Sequence, residues 1–106
     1  MTIPGDRLDA AVAEAVAGSR DALREVLETI RPIVVRYIRA RLGTAERVGL
    51  SADDVAQEVC LAAIQALPRY QDQGRPFLAF VYGIAAHKVA DAHRASARNR
   101  ADPTAR

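Results

Sequence analysis

The sequence predicts an all-α fold, a compact helical bundle of four to five helices. Alanine is abundant, and β-branched residues do not alternate with polar ones, so the period-two pattern of half-buried strands is missing. Apolar residues recur instead at three- and four-residue spacing. Helix punctuation, Ser or Asp ahead and Gly or Pro behind, brackets these stretches.

Each element follows from its own residues. A first helix is expected from about Asp6 to Ala17, with Leu8, Ala11, Val12, Ala15 and Val16 on one face and Gly18 as its stop. Ser19 or Asp21 caps a second helix carrying Leu23, Val26, Leu27 and Ile30. Pro32 lacks the amide hydrogen and clashes with the preceding turn, so a kink or break is expected near residues 29–31. Helix then resumes through Ile33, Val34, Tyr37, Ile38 and Leu42 and ends at Gly43. "GTAERVGL" is a polar connection. Ser51, with Asp54 three residues on, reads as a capping box with Asp in place of Glu, and the next helix starts at Ala52. Val55, Ala56, Val59, Cys60, Ala63, Ile64 and Leu67 form its apolar stripe, and Pro68 stops it. "RYQDQGR" is a turn-rich loop, and Pro76 suits the first turn of a last helix carrying Phe77, Phe80, Val81, Ile84, Ala85 and Val89. From Ala95 the apolar pattern fades, which reads as the approach to a linker. The expected division is one domain over residues 1–98 and the start of a linker over 99–106.

Composition sets the bounds. A chain of 106 residues that is half hydrophobic and 26% charged is a single globular domain rather than a disordered one. The single Cys60 allows no internal disulfide, which suits a reducing, cytoplasmic setting. No stretch approaches the ~20 apolar residues of a membrane span, so no membrane insertion is expected. The net charge of +2 hides an asymmetry: residues 1–68 balance at −2 and residues 69–106 at +4. An acidic front and a basic back suggest two partners, the second a polyanion, although uneven solvation of a helical domain gives the same count.

Catalysis finds little support: there is no Gly-rich phosphate loop, no paired Cys and no nucleophile beside a recognisable base. His87 and Asp91 share a helix face with His93 near, but a structural metal ordinarily needs four ligands, so a surface His–Asp pair is the simpler reading. No cofactor or metal is expected. Two constellations remain. Asp54, Gln57, Glu58, Leu61 and Gln65 lie along one face opposite the core stripe of their helix. Acids to steer and a Leu to anchor suit contact with a basic helical partner; a merely solvated face also fits the residues alone. From Arg69 to Arg98, basic residues interleave with Tyr70, Phe77, Phe80 and Tyr82, the combination that holds phosphates and stacks unpaired bases. Phe77 and Phe80 fit the apolar stripe and are expected in the core, leaving Tyr70 the freest of the four.

"DDVAQEV" followed by "ALPRYQDQGRPFLAFVYGIAAHKVADAHR" resembles conserved region 2 of bacterial sigma factors of the extracytoplasmic-function group. The similarity runs from about Leu8 to Arg98, with the acidic helix and the aromatic-rich helix in the family's order and separation. It implies the sigma-70 region 2 fold and a non-enzymatic role in transcription initiation. It further implies that Asp54, Gln57 and Glu58, extended by Leu61 and Gln65, dock on the clamp coiled coil of the largest catalytic subunit of RNA polymerase core. Arg69, Tyr70, Arg75, Tyr82, His87, Lys88, Arg94 and Arg98 would hold promoter DNA, the minus-ten element as an opened non-template strand with one base flipped into a pocket. An anti-sigma factor would be a second protein partner. Phe80 stands where the family usually has Trp, Cys60 where it has an aromatic, and His87 where it commonly has Asn. The family's minus-35-reading helix-turn-helix domain has no counterpart in the sequence, so the chain is expected to be one domain of a longer protein. The competing readings are a helical protein-interaction adaptor with no nucleic-acid role and a duplex-reading repressor. No short helix–turn–recognition-helix pair supports the latter.

Overall fold

The structure, a computed structural model, describes residues 4–43, 51–70 and 74–101. Among these, four α-helices and one 3₁₀ turn follow in order: α1 (Pro4–Val16), α2 (Arg20–Leu42), α3 (Ala52–Ala66), the turn Leu67–Arg69, and α4 (Phe77–Ala101). The polar connection over 44–50, three residues of the second loop (71–73) and the last five residues lie outside the described residues.

Local chemistry sets the ends. Gly18 takes φ +111°, and the amides of Gly18 and Ser19 bond back to the carbonyls of Ala15 and Glu14, both at 3.0 Å. This Schellman closure turns the chain so tightly that Ser19 at once caps α2, accepting from the Ala22 amide at 3.0 Å. The expected cap of α3 is present: Ser51 Oγ accepts from the Asp54 amide at 3.4 Å. The helices pack around one core, in which Val26, Ile30, Ile38, Leu42, Val59, Ala63, Phe77, Val81 and Ala85 are wholly buried.

Two expectations need correction. The break allowed for at Pro32 does not occur: helix α2 runs unbroken through it. Pro32 is exposed while Ile30 and Val34 on either side are buried, so packing holds the helix across one missing hydrogen bond. Helix α4 also continues well past Arg94, to Ala101. Its buried stripe runs on through Val89, Ala92 and Ser96. Small Ala and Ser side chains carry little apolar signal, so the sequence pattern faded where the packing did not.

Candidate functional site

The acidic face of α3 is where the sequence places it. Asp54, Gln57, Glu58, Leu61 and Gln65 are all exposed, and Leu61 keeps 56% of its surface open. The buried stripe of α3 points the other way, so these five residues contribute nothing to the core. Beside them a groove of about 610 Å³ separates α3 from α2, lined by Gln57, Leu61, Ile64 and Cys60 from one side and Leu27, Arg31 and Val35 from the other. The three α2 residues were missed in the sequence because they flank that helix's buried stripe and read as its margin. Burial raises the Cys60 thiol above its ordinary range, with Arg31 pulling weakly the other way, so the group stays a protonated thiol at neutral pH.

The second site centres on the junction between the 3₁₀ turn and α4. A cavity of about 460 Å³ is lined by Ala66, Arg69, Tyr70, Arg75, Pro76, Ala79 and Phe80. Phe80 is 36% exposed, which corrects its expected place in the core; Phe77, at the same helix end, is fully buried. Tyr70 is less free than its loop position suggests. Its ring is half-buried, edge-on to Phe77 at 5.1 Å and tilted against Phe80 at 5.4 Å. Its hydroxyl donates to the Arg75 carbonyl at 3.4 Å, closing the loop across its base. Two arginines and two aromatic rings thus converge on an open concavity, a combination suited to an unstacked base and its phosphate.

Along α4 the remaining predicted residues separate into three groups. His87, Arg94 and Arg98 share the outward face with Phe80 and lead away from the cavity. Tyr82 sits about 140° around the helix from His87. It packs on Tyr37 of α2, ring centroids 5.2 Å apart, with the Arg41 guanidinium 4.1 Å over the Tyr37 ring. The structure therefore does not bring Tyr82 together with His87. Lys88 turns toward α3 and pairs with Glu58 at 3.5 Å, joining the two predicted sites directly. His87 Nε2 lies 3.5 Å from Asp91 Oδ2, and Arg94 also bonds to Asp91. His93 occupies the other flank, its Nε2 2.8 Å from the Arg41 carbonyl at the end of α2. Among the described residues no three His, Cys, Asp or Glu side chains gather as metal ligands.

The sigma-70 region 2 family profile matches residues 26–99. The chain is 82% identical over 103 residues to the ECF RNA polymerase sigma factor SigD of Mycobacterium tuberculosis, covering 97% of this chain and 49% of that protein. It is 47% identical over 96 residues to the ECF RNA polymerase sigma factor ShbA of Streptomyces griseus, covering 87% of this chain and 49% of that protein. To BldN of Streptomyces coelicolor it is 34% identical over 93 residues, covering 88% of this chain and 33% of that protein. The chain thus spans about half the length of SigD and ShbA. No solved structure matches it. None of the described helices is long and apolar enough to cross a membrane.

Proposed function

The chain belongs to the sigma-70 region 2 family, and from that premise we propose that it is the promoter-specificity domain of an extracytoplasmic-function sigma factor. It binds RNA polymerase core through α3 and captures the melted minus-ten strand at the α4 end, acting in the cytoplasm as part of a longer protein. The observation that carries this reading is the cavity between the 3₁₀ turn and α4, where Arg69, Tyr70, Arg75 and Phe80 face one concavity. A duplex presents no free base to such a pocket; an opened strand does. The exposed row of Asp54, Gln57, Glu58 and Leu61 supplies the second half, a steering charge beside an apolar groove shaped for a helical partner such as the polymerase clamp coiled coil. His87, Arg94 and Arg98 then follow the strand's backbone away from the pocket. An anti-sigma factor holds the protein inactive by covering these same surfaces.

The test pairs two measurements. Asp54→Ala with Glu58→Ala should weaken binding to polymerase core by about 2–4 kcal/mol while helicity is unchanged, because the charges become desolvated in the complex. The chain should also prefer single-stranded minus-ten oligonucleotides over the matching duplex. Unchanged core affinity together with no strand binding would leave only a helical adaptor with a solvated basic helix.

A further inference from the structure

The N-terminus of α4 is closed by a residue from the far end of the chain. Asp9, in the second turn of α1, accepts at Oδ1 a hydrogen bond from the Phe77 amide at 2.8 Å. The local cap position is held by Pro76, whose ring has no acceptor to offer. Asp9 lies outside the span of the family match, residues 26–99.

Three facts tie this contact to the pocket. The start of α4 forms one pocket wall, through Pro76 at its cap and Ala79 and Phe80 in its first turn. Tyr70 lines that pocket and also a smaller cavity of about 270 Å³ that it shares with Asp9, Val12 and Val16. The Tyr70 ring is thus a partition with the pocket on one side and α1 on the other. Finally, an open helix N-terminus beside Arg69 and Arg75 would attract phosphate, since its amides and dipole favour negative charge. Asp9 already fills that place with a carboxylate.

We propose that Asp9 is a positioning residue that sets the specificity of the α4 pocket. It fixes the helix end that forms the wall and withholds that end from the strand's phosphates, so that the pocket sorts by base. This deepens, and rests on, the strand-binding reading above. The carboxylate also places a negative charge near the backbone path, so the arrangement favours discrimination over total affinity.

The experiment measures affinities of the chain for short labelled single strands differing at one base, alongside amide exchange at Phe77. Asp9→Asn keeps the acceptor and drops the charge. It should keep Phe77 protected and the affinity ratio between strands within about twofold, while binding all strands somewhat better at low salt. Asp9→Ala removes the acceptor. Phe77 protection should fall and the ratio should shrink about fivefold, with affinity for the poorer strand unchanged or higher. Equal weakening toward every strand in Asp9→Ala, or loss of the ratio in Asp9→Asn as well, would reduce Asp9 to a structural role and overturn the proposal. Unchanged Phe77 protection in Asp9→Ala overturns it too. A wild-type chain with no base preference instead removes the strand-binding premise, and the Phe77 exchange still reports on the cap by itself.

Discussion

Glu58 belongs to the row proposed to meet polymerase and Lys88 to the helix proposed to meet the strand, yet the two are paired, Nζ to Oε1 at 3.5 Å. Neutralising Glu58 should therefore move the two binding activities in opposite directions. Glu58→Gln keeps the length and hydrogen-bonding capacity of the side chain and removes only its charge. The Glu58 side chain is 62% and the Lys88 side chain 34% exposed, so solvent screens much of the attraction. Exposed pairs of this kind are worth roughly 0.2–1 kcal/mol. Release of Lys88 to a phosphate then raises affinity for single strands by about 1.5- to 5-fold, irrespective of sequence. Fluorescence anisotropy at low salt reads this directly. The gain should vanish near 1 M salt, where the screening length is about 3 Å. Core polymerase binding by the same variant should weaken. A cycle with Lys88→Gln decides the mechanism, since in that background Glu58→Gln has no cation to release. An equal gain with and without Lys88 would mean a general change of net charge and would refute the coupling.

Three further outcomes follow from particular contacts. Pro32→Ala restores the amide donor to the Glu28 carbonyl at an exposed position of a continuous helix, and urea unfolding should show about 1–3 kcal/mol more stability; a less stable variant would mean that the proline ring itself packs favourably. His93→Ala leaves the Arg41 carbonyl without its 2.8 Å partner, so stability should fall by about 0.5–1.5 kcal/mol, with faster amide exchange at the end of α2. Cys60 keeps its proton in the folded state to a higher pH than in the unfolded chain, whose thiol ionises near 9.0, so stability should be full below that pH and decline above it. Cys60→Ala should flatten that alkaline slope whatever its effect on packing.

What the sequence made legible was whatever local spacing determines. The Ser51 cap, the stripe of α3 and the exposure of Leu61 opposite that stripe all follow from 3.6 residues per turn. No break forms at Pro32 because its local penalty is smaller than the packing of Ile30 and Val34 on either side. The fading pattern after Ala95 did not mark the end of α4, since the helix runs on to Ala101 and Ser96, only 1% exposed, carries no apolar signal. Tyr82 and His87 were grouped through the family resemblance, although five residues carry a helix about 140° around its axis. The bond between Asp9 and the Phe77 amide had no signal at all, since the partners stand 68 residues apart and Asp9 belongs to no recognisable motif.

Charge shows most clearly why segment tallies and surfaces differ. Residues 69–106 balance at +4, which suggested that the basic end alone meets a polyanion. In the fold, three of its cationic or titratable groups already face carboxylates: Lys88 meets Glu58, while His87 and Arg94 share Asp91. The supposedly acidic front meanwhile places Arg31, Arg36, Arg39 and Arg41 on the second half of α2, with no acid between them. Of these, Arg39 is held by Asp53 of α3 at 3.1 Å. Acid and base are thus interleaved between neighbouring helices rather than sorted along the chain. Under the proposed strand binding, a strand reaching α4 would compete with Glu58 and Asp91 for Lys88, His87 and Arg94, so its net electrostatic gain would fall short of what a count of lysines and arginines implies. On the proposed reading, affinity drawn from charge is limited by those internal pairs, and the aromatic pocket at the start of α4, where Tyr70 and Phe80 converge, is the feature expected to distinguish one strand from another.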